Sequence, residues 1–405
     1  MIKKRLWIVV MIIIMLVATM SGRWSRQEPK NLAIGIAYLY EKTDEGIYSI
    51  TAEIVHLSGT NESGAATGGQ SGSLSIIRNF KGPTVSETVR DTEVKVEKVF
   101  FGSQNRVRFF SEELAREDGI LDILDFFVRD HIADERPYLF VVKNEKPTDI
   151  FEADLGGSAR LGEHIHHIAG KRQDTVLTTT FVNTLKFVRE YYCEGMQPVI
   201  SVVEAKETEA AYKTPGMEDE PKKTELVFEG LGVMKGAKLV GLLSEREAMT
   251  YTLLREDIKG AHTSIPVGEK EIGVKLSNSR PKIKTSYENG RVKINIDLKL
   301  KLSVSENETE YDVSQYRDIK ILENIANNHF RKEIESTIAK IQREYKSDIF
   351  GFGMHFHVQQ KHDLWESIKE EWDDKYFAEA DITVKVDSKI VFSGETREKF
   401  GVNAR

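Results

Sequence analysis

A single cysteine, Cys193, occurs in the 405 residues, so no intramolecular disulfide can form and a thiolate-built structural zinc site is excluded by ligand count. It lies in "KFVREYYCEG", near the end of a helical pattern, where a partly buried, inert thiol is expected. A positive charge excess is also missing. The net charge of −7 argues against a general nucleic-acid role, since phosphate binding needs a concentrated basic surface, and leaves room only for local patches. Nine prolines, 40% hydrophobic and 30% charged residues describe a folded chain, neither disordered nor fibrous. Such a length exceeds what one core usually serves, and two or three domains of roughly 100–200 residues are expected.

Catalytic signatures are equally scarce. There is no G-x-S-x-G elbow, no Cys-His pairing signature and no P-loop, and the acidic residues fall mostly on patterns that read as solvated helix faces. No catalytic residue and no cofactor are assigned. Ten histidines invite a metal hypothesis: His164 and His167 in "EHIHH" would share a helix face, and His355 and His357 in "GMHFHVQQKH" have strand-like spacing. Neither pair has the carboxylate and third ligand of a motif such as H-E-x-x-H, so solvated or core histidines are expected and no metal ligand is assigned. An exported small-molecule-binding protein is the alternative to a scaffold, and a cell-envelope hydrolase a more distant one.

What is present begins with "KKR", Lys3 to Arg5, followed by the apolar run "LWIVVMIIIMLVATM" from Leu6 to Met20 and small residues. These are the parts of an export signal. At 1.5 Å per residue the run spans only about 22 Å, short for a lone membrane-crossing helix. Residues 1–22 are therefore read as a signal or membrane anchor, with the rest of the chain on the outer side by the positive-inside rule.

The remainder reads as α+β, multidomain, with antiparallel or mixed sheets and packed helices. Region 24–205 opens on a hairpin, Leu32 to Tyr40 and Ile47 to Leu57, turning at Asp44 to Gly46, and carries a Gly/Ser-rich loop at 58–73 where it could divide into two subdomains. A helix is expected from the spacing of Leu177, Phe181, Leu185, Val188 and Tyr192. The polar stretch 206–225 is expected to be a linker or exposed loop before a C-terminal α+β domain, 226–400. There, "SERE" at Ser244 to Glu247 matches a capping box. Alternate residues from Val292 to Val304 are apolar, which predicts a strand over 291–304 of roughly 40 Å at about 3.3 Å per residue, wet on one face. Asn289-Gly290 is the turn that pairs it with "PKIKTSY". A long helix follows over 314–345, then a shorter one in "DLWESIKEEWDD" and a last alternating hairpin in "ADITVKVDSKIVFSG". The lysines Lys282, Lys284, Lys293, Lys299 and Lys301 line the wet face of the long strand pair and could meet an anionic lipid surface or an acidic partner, if they do not simply keep it soluble.

Several stretches in order resemble the Ger(x)C family, the C subunits of spore nutrient germinant receptors. They include "NLAIGIAYLY", "VFFGSQNRVRFFSEELARE", "YCEGMQPVISVVE", "GLGVMKGAKLVGLLSEREA" and especially "EYKSDIFGFGMHFH" with "LWESIKEEWDD". The resemblance implies a non-enzymatic lipoprotein on the outer face of the inner spore membrane. Such a subunit acts in spore germination beside integral-membrane A and B subunits. It also implies three α+β domains around antiparallel sheets and no catalytic residue. A lipoprotein signal would place a cysteine after "MSG", but Arg23 stands there, so lipidation at this position is chemically impossible. An uncleaved anchor is expected instead, with Arg23 and Arg26 at the headgroups and Trp24 in the interface.

Overall fold

The computed structural model describes residues 32–56, 75–96, 98–102, 104–129, 136–156, 160–172, 175–208 and 223–391, together with Trp7 and Met11. Arg23, Trp24 and Arg26, the loop 58–73 and most of the 206–225 segment lie outside the described residues.

The first sheet starts as expected: β1 (Leu32–Lys42) and β2 (Tyr48–His56) form an antiparallel hairpin, and β3 (Ser75–Gly82) pairs antiparallel with β2. After α1 (Val85–Lys95), β4 (Val99–Phe101) and β5 (Val107–Ser111) both join β1 in parallel. Helices α2 (Glu112–Glu117) and α3 (Leu121–Arg129) carry the chain to β6 (Tyr138–Val142), parallel to β5. A 3₁₀ turn at Pro147–Glu152, then α4 (Leu161–Arg172) and α5 (Thr184–Tyr191), lead to β7 (Val199–Thr208), parallel to β6. The centre of this sheet is therefore parallel, a correction to the antiparallel architecture expected from the resemblance. The reason is burial: β5 and β6 are buried throughout and read as continuous apolar runs, as strands covered on both faces do. On one face Leu39, Phe109, Phe140 and Val142 pack on Leu161, Ile165 and Ala169 of α4. On the other, Tyr40, Phe110, Leu139 and Val141 meet Leu114, Ile123 and Leu124.

The helix expected from Leu177 forms only from Thr184. Asn183 caps it, accepting the Lys186 amide at 2.8 Å, and the preceding Leu177 to Val182 forms no helix, with a bend at Leu177 and Thr178. Side-chain capping by asparagine outweighs the apolar spacing, and the inward face becomes Thr184, Phe187 and Glu190 while Leu185 stays 56% exposed.

Segment 206–225 begins and ends as paired arms of a hairpin. Thr208 faces Lys223 and Glu204 faces Val227 across β7 and β8 (Lys223–Val227). The next hairpin, β9 (Leu231–Lys235) and β10 (Lys238–Leu243), adds to β7, so the chain completes the first sheet before it leaves it. The changeover is α6 (Glu245–Arg255), opened by the predicted capping box between Ser244 and Glu247. Every residue from Ala248 to Leu254 is buried, as in a helix enclosed on all sides.

The second sheet runs β11 (Ala261–Val267), β12 (Lys270–Glu288), β13 (Arg291–Asn307), β14 (Asp381–Ile390). β12 and β13 turn at Asn289 and Gly290, both at positive φ (53° and 82°), the type I′ geometry that the Asn-Gly pair favours. The last strand is not a hairpin arm: among the described residues β14 pairs in parallel with β13. Helix α7 (Tyr316–Lys340), prolonged by a π turn at Ile341–Tyr345, buries Leu322, Ala326, Phe330, Ile334, Ile338 and Ile341, nearly the stripe read from the sequence. It also closes an edge: Asn327 Oδ1 accepts the Ser388 amide (2.6 Å) and Glu323 Oε1 the Ile390 amide (3.1 Å) on β14. Opposite, Gln359 and Gln360 of α8 (Phe352–Gln359) and the residue after it bond the backbone of Ile283 and Thr285 along the free part of β12. These stretches of β14 and β12 are thereby blocked to a further strand.

Buried Glu53 on β2 receives the start of α4. Its two oxygens accept the Leu161 and Gly162 amides at 3.0 Å each, satisfying helix-terminal donors with a negative charge. Gly162 is required there, since a Cβ would sit 2.6 Å from the Ile36 carbonyl oxygen. Glu53→Gln would set an amide N–H against one of these donors, and a loss of about 1–3 kcal/mol is expected in urea unfolding; an unchanged midpoint would show that the cap does not contribute.

Candidate functional site

Four of the stretches that carried the family resemblance, "YCEGMQPVISVVE", "GLGVMKGAKLVGLLSEREA", "EYKSDIFGFGMHFH" and "LWESIKEEWDD", meet at one joint. Gly195, in the turn after α5, has φ +75°, and a Cβ on it would lie 2.4 Å from the Gly353 carbonyl carbon; a Cβ on Gly353 would lie 2.7 Å from Gly195 Cα and from the Trp372 ring. Two backbones touch here because neither residue has a side chain. The Met354 amide donates to the Gly195 carbonyl at 3.0 Å. Trp365, in α9 (His362–Ile368), donates its ring N–H to Glu194 at 3.0 Å. Trp372, in a π turn at Trp372–Phe377, packs on Phe356 and Trp365 with ring centroids 5.4 and 5.5 Å away.

At the centre is Asp348, fully buried. Its Oδ2 accepts from the Gly353 amide (2.8 Å) and Trp372 Nε1 (3.0 Å), while Oδ1 has no hydrogen-bond partner among the described residues. Its amide donates to Asp373 Oδ1 at 2.8 Å, and Asp373 Oδ2 accepts from Gln197 Nε2 at 2.7 Å. Gln197 in turn accepts the Gly236 amide at 2.7 Å, and Lys235 pairs with Asp374 at 2.6 Å, tying both carboxylates to the β9–β10 hairpin. Burial, with the Asp373 carboxylate adjacent, pushes Asp348 up to about 7. Burial raises Asp373 too.

The second feature is the outer face of the β12–β13–β14 sheet. Register brings Asp297 of β13 between Lys282 and Lys385, Asn295 between Lys284 and Thr383, and Lys293 between Ser286 and Asp381. Lys282, Lys284, Lys299 and Lys301 are exposed as expected; Lys293 is partly covered and ion-paired with Glu288 at 2.5 Å. Besides Lys385, two cations that the sequence reading left out join them. Arg280 lies opposite Lys299, and Lys389 opposite Lys301. Arg280 could have been found by continuing the alternation one step back along β12, but Lys389 only by knowing that β14 runs parallel to β13.

A third feature is a cleft of about 360 Å³ between the first sheet and the helices α6 and α7, lined by Lys143, Lys206, Lys340, Glu204, Glu229 and Glu247 among others. Its lysines are matched to acids: Lys143 and Lys206 to Glu204 at 3.6 Å each, Lys340 to Glu247 at 2.8 Å. The cleft thus serves as an ionic seam between β7 and α6–α7.

The histidines fall elsewhere. His164 and His167 lie on α4, where burial and the His167 charge lower His164. His355 and His357 are on a helix, α8, and not on a strand, because Gly351 turns at positive φ (72°) just before it and Asp348 accepts the Gly353 amide at its start. His357 stacks on Trp365 at 5.2 Å. Among the described residues no group of three His, Cys, Asp or Glu could hold a metal ion. Burial pushes the Cys193 thiol up, away from reactivity.

The joint has a pH signature. Between the ordinary value of 3.8 and about 7 the unfolded chain has released the Asp348 proton while the folded chain keeps it. Folding then takes up a proton, and stability falls as pH rises through that window. Asp348→Asn is expected to flatten the decline in urea stability between pH 5 and 8 to the part due to Asp373; equal slopes in variant and wild type would refute this assignment.

Comparisons with known proteins agree with this geometry. The family described as "Spore germination protein N-terminal domain" matches residues 25–205, and "Spore germination B3/ GerAC like, C-terminal" matches 229–394. Spore germination protein KC of Bacillus subtilis (strain 168) is 22% identical over 404 residues, covering 97% of each chain. Spore germination protein B3 of the same organism is 22% identical over 378 residues, 92% of this chain and 94% of its own. A solved structure, that of the GerBC protein, superposes with a TM-score of 0.53 at 20% identity, covering 87% of this chain and 96% of that one, and shows the same fold. With both matched regions in order on either side of the joint, the chain belongs to the Ger(x)C family of spore germination proteins.

Proposed function

We propose that this chain is a non-enzymatic subunit of a nutrient germinant receptor, acting in spore germination as an assembly or signal-relay component beside the A and B membrane subunits. The observation that carries this reading is the collinear match of both family regions to a chain whose two sheets share a continuous buried cluster. Such a body transmits force or position from one end to the other without loose joints, which is what a relay between integral partners requires. The family is not a known enzyme family, and the titratable groups of the joint are engaged in holding backbone.

The proposed location is the outer face of the inner spore membrane. Attachment through the N-terminal apolar run, with Arg23, Trp24 and Arg26 at the interface, is supported by the run of apolar residues after Lys3 to Arg5. Two measurements test these statements. Deletion in the native spore former should abolish or slow germination with at least one nutrient, and normal responses to a full nutrient panel would overturn the receptor role. Intact mass of the membrane-fraction protein should include residues 1–22; a mature N-terminus near residue 20 would remove the anchor.

A further inference from the structure

Along β12, β13 and β14, like charges stand directly opposite one another. Arg280 faces Lys299, and one rung further Lys301 faces both Asn278 and Lys389. Neighbouring strands are about 4.8 Å apart and same-face residues about 6.6 Å along a strand, so these four cations crowd one patch. Like charges opposed across a sheet are destabilising. Asp387 is the acid of the patch: it stands opposite Lys299, sits 3.3 Å from Lys389 and lines the same depression, a single negative charge among these four positive ones. Arg280, Lys282, Lys284, Lys299 and Lys301 have no ion-pair partner among the described residues. Arg280, Lys299, Lys301 and Lys389 frame an open depression of about 540 Å³. All this lies on a chain of net charge −7.

We propose that this outer face docks flat on an anionic phospholipid surface, with headgroup phosphates entering the depression between Arg280, Lys299, Lys301 and Lys389. The proposal rests on the reading that the chain works at a membrane. Three observations favour lipid over an acidic protein. The outward positions of these rungs carry Asn, Arg, Lys, Ser, Asp and Thr, and although Leu300 and Val391 also line the depression, no aromatic side chain does. Protein interfaces draw most of their affinity from buried anchors of that type, whereas a diffuse anionic plane needs only cations near its surface. The end of β14 and the part of β12 beyond β11, where a partner strand could add, are already bonded by Asn327, Glu323, Gln359 and Gln360. Finally, repulsion between opposed cations is relieved by any phosphate seated between them, with each lysine or arginine free to move toward it.

The test uses the full chain reconstituted in vesicles of phosphatidylcholine alone or with added phosphatidylglycerol, and follows lysine acylation by mass spectrometry. On anionic vesicles Lys282, Lys284, Lys299 and Lys301 should react severalfold more slowly than on neutral ones. Exposed Lys95 and Lys332, on α1 and on α7, should be unchanged. High salt should erase the protection, because screening acts within about 10 Å at moderate ionic strength. Arg280→Glu with Lys299→Glu, in a variant shown by urea unfolding to be folded, should abolish it at Lys282 and Lys284. Equal reactivity on the two lipids, or protection that survives charge reversal, would overturn the proposal. So would protection that ignores lipid charge and appears only with the A and B subunits present, which would assign the face to a protein. None of these outcomes bears on the receptor role, which the deletion decides separately.

Discussion

The architecture depends on a contact between two glycines. Gly195 ends the crossover that delivers β7, and Gly353 opens the helix that follows α7, nearly 160 residues later in the chain. Their backbones meet so closely that a methyl group on either would collide with the other. That approach lets the Gly353 amide reach Asp348 and brings Trp372 over the same carboxylate. Once Asp348 is enclosed, its environment has to supply donors or a proton, and the Asp373–Gln197–Gly236 chain of hydrogen bonds extends the constraint to the first sheet. Burying carboxyl groups is costly unless they are paired or protonated, so this joint stabilises one relative arrangement of the two sheets more than it adds to overall stability.

Around that contact one largely apolar cluster runs through both sheets, and a second fills the face of the first sheet under α4. Helix α6 lies between the sheets and buries all its sides, Tyr345 packs its ring where Gly241 leaves no side chain, and its hydroxyl reaches the Leu242 carbonyl at 3.2 Å. Ser347 donates to the Met234 carbonyl at 2.6 Å. A buried cluster that runs through both sheets resists independent motion of either.

That exterior follows from the strand period. Alternation puts Ile294, Ile296, Leu298 and Leu300 under α7 and sends Lys293, Asn295, Asp297 and Lys299 outward. The inner face fixes the register, because a slip of one residue would bury the lysines. The outer face is then free to carry charge in a pattern that folding alone does not need, including cations directly opposed across strands.

Local signals were legible wherever a residue acts on its own neighbours. The Asn289-Gly290 turn, the Ser244–Glu247 capping box, the alternation of β13 and the stripe of α7 all depend on backbone preference or periodicity within a few turns, and the sequence alone determined them. The order of short stretches also revealed the family, since chemistry such as "IFGFG" needs no coordinates to be recognised. Tertiary structure decided the rest. The parallel pairing of β5, β6 and β7, the pairing of β14 with β13, the helical setting of His355 and His357, and the delayed start of α5 at Asn183 each result from partners far away in the chain or from a cap competing with an apolar pattern. Lys389 joins Lys301, and Asp373 joins Asp348, only because strands and turns distant in sequence are brought within a few ångströms; no local periodicity encodes that distance.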